Sequence, residues 1–169
     1  MRLFIAIDLP LEAKNSLDSL KPELSKIRAR LVPKDNYHVT LKFLGEVEDE
    51  FVPRIISSLQ EIKFQPFRVS LEAAGAFPGE HIANSIWVSA GPAEHLMRVK
   101  ELVDRALPRF RDEHAFKAHI TLARLESEDV RDVLARINQR LEKKEILVSR
   151  VTLYKSTLTP KGPVYEKLL

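Results

Sequence analysis

The tetrapeptide His-x-Thr-Leu occurs twice, as His38-Val39-Thr40-Leu41 and His119-Ile120-Thr121-Leu122, 81 residues apart in a chain of 169. Each copy lies in a run of alternating apolar and polar residues, Tyr37 to Leu44 and Phe116 to Arg124, and this period of two predicts a β-strand at both places. Successive side chains of a strand point to opposite faces. His and Thr at i and i+2 therefore share one face, while Val39 and Leu41, or Ile120 and Leu122, share the other. One face can cover a core; the other presents an imidazole beside a hydroxyl. A single His-x-Thr says little, but two copies on two period-two strands read as a duplicated half-site.

The rest of the chain supports a duplication. Residues 2–8 read as a buried strand, followed by an amphipathic helix opened by Pro10 and carrying Leu17, Leu20, Leu24 and Ile27, which Pro22 should interrupt. A loop spans Pro33 to Asn36, and a second helix is expected after the first motif, from about Glu48 to Ile62, with Pro53 in its first turn. Strands are expected at Phe67–Ala76 and Ser85–Ala90, with a turn at Pro78 to His81. A helix follows Gly91-Pro92, and another spans about Ser127 to Lys143 with Ser127 as its cap. A β-rich tail from Glu145 to Tyr154 and a short strand at Val164–Lys167 close the chain. No linker or low-complexity run divides it, so residues 1–169 are expected to form a single two-lobed domain. The expected class is α+β: a bilobal pseudo-twofold with two antiparallel-rich sheets facing a central cleft and helices on the outer faces.

Composition removes several function classes. There is no cysteine, hence no disulfide framework, thiolate nucleophile or Cys-based metal site. The apolar opening Leu3 to Ile7 stops at Asp8, too short for a membrane span or a signal-peptide core, so a cytoplasmic protein with no membrane partner is expected. A monomer is expected as well. A net charge of +3 would favour a phosphate-bearing ligand. Aromatics at 7% without an interleaved basic stripe argue against a long single-strand groove. Neither motif has His-x-x-x-His or a flanking acidic cluster, and no Gly-rich phosphate loop is present, so no metal and no cofactor are expected. His81, His95 and His114 read as exposed histidines.

If the two motif faces meet, the chemistry is specific. Imidazole has an ordinary pKa of about 6.5, so one histidine can accept a proton while the other donates one. Two such groups on opposite sides of a phosphodiester suit in-line displacement. Thr40 and Thr121 can donate to the non-bridging oxygens, and Arg124 offers a guanidinium fork matched to phosphate.

The opening Met1 to Ile7, the blocks His38 to Gly45 and His119 to Arg124, and the tail Leu153 to Ser156 with Gly162 to Tyr165 resemble the two-histidine phosphoesterase superfamily. Within it, the chain is similar to the bacterial and archaeal RNA 2′,3′-cyclic phosphodiesterase branch, historically called 2′-5′ RNA ligase. The resemblance implies a V-shaped cleft in which water opens an RNA 2′,3′-cyclic phosphate to a 2′-phosphomonoester. It implies His38 as general acid and His119 as general base, with the reverse allocation open, and Thr40, Thr121 and Arg124 as phosphate ligands. The implied partner is RNA with a 2′,3′-cyclic phosphate end, tRNA fragments among them. Ligation by the reverse reaction and a non-catalytic RNA-end-binding module are the alternatives.

Three further residues are candidate substrate contacts. Strict alternation puts Lys42 on the face of His38 and Thr40, where it could steer phosphate or form a solvated rim. The same alternation turns Phe43 toward the core, although its ring could otherwise stack on a base. Tyr165, with Ser156, could border the cleft from the tail.

Overall fold

The computed structural model describes all residues 1–169. Nine strands and five helices alternate along the chain: β1 (Arg2–Asp8), α1 (Leu11–Asp18), α2 (Lys21–Leu24), β2 (Ala29–Leu31), β3 (His38–Glu46), α3 (Val52–Gln60), β4 (Phe67–Pro78), β5 (Ala83–Gly91), α4 (Ala93–Ala106), β6 (His119–Glu128), α5 (Arg131–Arg140), β7 (Glu145–Val148), β8 (Thr152–Thr159) and β9 (Gly162–Lys167). The strands form two antiparallel sheets, one ordered β3-β1-β8-β9 and the other β2-β6-β5-β4-β7. The α+β class with two antiparallel sheets is as expected.

Each motif strand lies in a different sheet, β3 in the first and β6 in the second, and the two strands pack against each other. Their apolar faces are sealed: Val39, Leu41, Ile120 and Leu122 are all buried. Helix α4 packs on β3 and β5, and α5 packs on β4. One cluster of 39 buried apolar side chains runs from β1 and β3 through α4 to β5 and β6, so the two sheets share a core instead of each building its own.

Local chemistry accounts for most element ends. The helical stretch is interrupted between Asp18 and Lys21, and Pro22 lies in the first turn of α2, where its missing N–H has no intrahelical partner to lose. Pro53 sits in the first turn of α3, where that N–H has no partner to lose. Three placements depart most from expectation. Ser127 does not cap α5: it sits at φ 52° near the end of β6, with its N–H donated to the Asn84 side chain, and the helix starts at Arg131, whose N–H bonds Asp129. The Glu145–Tyr154 segment divides between two sheets, as β7 beside β4 and β8 beside β1. Residues 29–31, which local pattern left outside any strand, pair with β6 as its outer neighbour.

Candidate active site

His38 and His119 line one cavity of about 580 Å³ between the two sheets, together with Thr40, Thr121, Arg124 and Tyr165. The sheets thus bring the two motifs onto one cleft. Ser156 lies at its border as well.

The two imidazoles are held alike. His38 Nδ1 lies 2.7 Å from the Asn36 carbonyl, and His119 Nδ1 lies 2.7 Å from the Lys117 carbonyl. A carbonyl only accepts, so each Nδ1 carries the hydrogen, and each neutral ring turns a proton-accepting Nε2 to the site. In the first half the Thr40 hydroxyl donates to His38 Nε2 at 2.9 Å. Behind His38 stand Phe4 and the edge of Tyr165, with ring centroids at 4.9 and 5.5 Å; behind His119 stand Phe77 and Trp87, at 5.1 and 6.1 Å. These walls restrict ring rotation and strip water from both bases.

Desolvation sets the titration. Burial pulls His38 down to about 4, outweighing the Asn36 hydrogen bond and the Asp8 carboxylate, which push upward; the charge of His119 pulls it lower still. His119 is likewise lowered, first by burial and then by Lys117 and Arg124, against the Lys117 carbonyl bond that raises it. Both histidines are therefore neutral at pH 7 in the free protein. An anionic phosphate between them would favour the protonated form of either.

The cavity wall carries Arg2, Arg30 and Arg124 and no carboxylate. Arg30 on β2 is the register partner of Arg124 on β6. Arg2 and Arg30 escaped sequence reasoning. Arg2 has no motif around it, and Arg30 is placed by a three-residue strand recruited from the other half of the chain.

Lys42 and Phe43 exchange the places that alternation predicts. The β1–β3 register passes from Ala6↔Thr40 directly to Ile5↔Lys42, so Leu41 is an extra residue on β3. After this bulge the faces invert: Leu41 and Lys42 are both buried, and Phe43 emerges 64% exposed on the cleft side. The expectation of core packing for Phe43 is thereby corrected. So is the placement of Lys42 beside His38, since its ammonium bonds Asp104 at 2.7 Å and Asp112 at 2.9 Å. Burial works against that charge, but the two carboxylates outweigh it and raise the lysine pKa. The same device recurs in the second half. Between Trp87↔Thr121 and Ile86↔Ala123, Leu122 is extra, and the inversion delivers Arg124 to the cleft.

No group of three or more His, Asp or Glu side chains could hold a metal ion. No helix is long and apolar enough to cross a membrane.

The family model for LigT-like phosphoesterases matches the chain twice, over residues 7–88 and 86–165, so that each match contains one His-x-Thr strand. The chain belongs to the LigT-like phosphoesterases. An RNA 2′,3′-cyclic phosphodiesterase of Archaeoglobus fulgidus is 35% identical to this LigT-like chain, over 99% of it and 98% of the relative. One from Methanocaldococcus jannaschii is 33% identical, over 98% and 97%. Among solved structures, a Thermus thermophilus protein has a TM-score of 0.81 at 32% identity, covering 100% of this chain and 96% of its own. Escherichia coli LigT complexed with 3′-AMP has a TM-score of 0.78 at 27% identity, covering 99% and 95%.

Proposed function

We propose that the protein is an RNA 2′,3′-cyclic phosphodiesterase that opens the terminal cyclic phosphate to a 2′-phosphomonoester by paired histidine acid-base catalysis. The observation that carries this reading is the matched pair of imidazoles: two Nε2 atoms, each oriented by an Nδ1–H bond to a backbone carbonyl, in one arginine-lined cleft. The names of the relatives at 33–35% identity point to the same reaction.

The cyclic phosphate sits between the histidines, with its non-bridging oxygens toward Arg124 and the Thr40 and Thr121 hydroxyls. His119 Nε2 takes a proton from water as the water oxygen bonds phosphorus opposite the 3′-oxygen. The P–O3′ bond breaks, and His38 Nε2–H delivers a proton to the departing O3′. The product carries a 2′-phosphate and a free 3′-hydroxyl. His119 ends protonated and His38 neutral, and exchange with solvent restores the pair. Arginine and hydroxyl donors fixed before reaction stabilise the five-coordinate phosphorus, and relief of the strained five-membered ring assists the step. The reaction needs no cofactor, and every group it uses comes from one chain, so it needs no second copy. In this reading RNA ends of this class, tRNA fragments among the candidates, would be met in the cytoplasm.

The test is hydrolysis, in EDTA, of an oligoribonucleotide ending in a 2′,3′-cyclic phosphate, with the product isomer read by phosphorus NMR. A 2′-phosphate is expected. A 3′-phosphate would require the opposite P–O bond to break and would overturn the assignment.

A further inference from the structure

The carbonyls that orient the two imidazoles are held in different ways. Asn36 ends a single 3-10 turn over Lys34–Asn36; its N–H donates to the Pro33 carbonyl at 2.9 Å, and its side-chain amide donates to the Pro163 carbonyl, also at 2.9 Å. Its own turn and β9 thus fix the partner of His38. Lys117, the partner of His119, lies near the end of the connection from α4 to β6, and residues 111–117 make no backbone-to-backbone hydrogen bond. A segment without such bonds is placed by its side chains and opens readily once they let go.

Asp112 is the only side chain of this segment that hydrogen-bonds outside it. Its carboxylate accepts from Lys42 Nζ at 2.9 Å and from Lys100 Nζ as well. Both lysines are buried and both also bond Asp104, so two cations and two carboxylates close a neutral cluster. Lys42 stands two residues after Thr40 on β3, the strand of His38, and Lys100 stands on α4, which packs on β3 and β5. The Asp112 carboxylate therefore clamps the approach to His119 onto the strand that carries His38. Ammoniums this well buried are costly to leave unpaired, which gives the clamp a fixed geometry. The Lys117 ammonium, over the Trp87 ring at 4.1 Å, adds a weaker hold further along.

We propose that Asp112 is a positioning residue for His119: held by Lys42 and Lys100, it keeps the Lys117 carbonyl where it accepts the Nδ1 hydrogen, and so keeps Nε2 of that ring turned to the cleft. The catalytic consequence rests on the cyclic phosphodiesterase reading above; the effect on the ring does not. Without the clamp the segment loses its polar anchor, the imidazole carries its hydrogen on either nitrogen, and the share of rings with a free Nε2 aimed at the attacking water falls. Asp104 bonds the same two lysines from α4, where the helix backbone already places it. Its loss weakens the cluster and leaves the segment tied.

The test compares Asp112→Ala with Asp104→Ala, each of which takes one carboxylate from the same two lysines. Melting temperature, kcat and KM on a cyclic-phosphate oligonucleotide, and the nitrogen NMR shifts of the imidazoles are read for both. The melting temperatures should fall alike. In Asp112→Ala, kcat should fall about tenfold or more, as expected when a catalytic group is slightly misplaced, while KM stays nearly unchanged. The His119 nitrogen shifts should move toward a mixture of tautomers, and those of His38 should stay. Asp104→Ala should keep kcat near that of wild type, and Asp112→Glu, which restores the carboxylate, should recover part of the loss. The double variant Lys42→Met, Asp112→Ala removes one charge of each sign, so it should show the same kcat loss from a firmer fold. An unmoved His119 spectrum in Asp112→Ala, a wild-type kcat in that variant, or equal kcat losses in the two single variants overturns the positioning role and leaves the catalytic reading standing. No turnover by wild type overturns the catalytic reading instead, and the His119 shifts then decide the positioning role alone.

Discussion

Phe43 and Arg124 occupy equivalent places in the two halves: each follows its motif histidine by five residues, and each is turned onto the cleft by one extra residue, Leu41 or Leu122. The duplicated strand frame is thus kept while the side chain at the shared position differs, an aromatic ring in one lobe and a guanidinium in the other. That difference makes the cleft asymmetric toward a ligand with an anionic centre and an apolar side.

Substitution at the two positions should therefore separate chemistry from grip. Arg124→Lys keeps the charge and loses the bidentate fork. It should lower kcat/KM about tenfold or more, in line with a charge-assisted hydrogen bond of roughly 1.5–3 kcal/mol. Phe43→Ala should raise KM and leave kcat nearly unchanged. Steady-state kinetics on a cyclic-phosphate oligonucleotide check both, and an Arg124→Lys enzyme as active as wild type would contradict the phosphate role.

The lowered histidines predict an acid-shifted profile. A base must be neutral to accept a proton; burial lowers both imidazoles, His38 to about 4. The optimum of kcat/KM, which reports the free enzyme, should lie below about pH 6.5. In proton-carbon NMR, His38 of the free protein should titrate near 4, and saturating inorganic phosphate should move that upward. Stability has the same sign. Between about 6.5 and 4 the unfolded chain binds the His38 proton and the folded chain does not, so this site destabilises the fold as pH falls through that window.

Gly75 offers a test of the support behind His119. A Cβ there would collide with the Trp87 ring, its register partner on β5, and Trp87 in turn meets the His119 edge and carries Lys117. Gly75→Ala must displace the indole, at a cost of about 1–3 kcal/mol for overpacking. The measurement is kcat alongside the melting temperature. We expect kcat to fall more than the fold weakens, with Trp87→Phe restoring part of it; a stability loss with unchanged kcat would make the contact merely structural.

The strands, the pairing of His with Thr on one face, and the duplication are all legible in the sequence, because strand period and motif spacing are local properties. Lys42 and Phe43 are not, because the bulge at Leu41 is set by register against β1, more than thirty residues away. The burial of Lys42 depends on Asp104 and Asp112, carboxylates on a helix and a loop that no spacing rule connects to β3. Arg30 is hidden for a related reason: its strand joins the sheet of the other half. Short-range pattern thus finds the paired histidines, and long-range pairing decides which neighbours share their face.

The acid can be told from the base with a leaving group that needs no proton. A substrate with sulfur in place of the bridging 3′-oxygen expels a thiolate, which is a far weaker base than an alkoxide. If His38 is the acid, His38→Ala should recover most of its lost rate on that substrate, while His119→Ala should stay slow. Recovery of the His119 variant instead would reverse the two roles.

The most direct test of the paired mechanism is kcat/KM for wild type, His38→Ala, His119→Ala and the double variant on one cyclic-phosphate oligonucleotide. Each single change should cost about 10²–10⁴-fold, and the double variant should be little worse than the poorer single, because the two groups act in one transition state. Losses that multiply in full, or a single variant that retains wild-type activity, would contradict it.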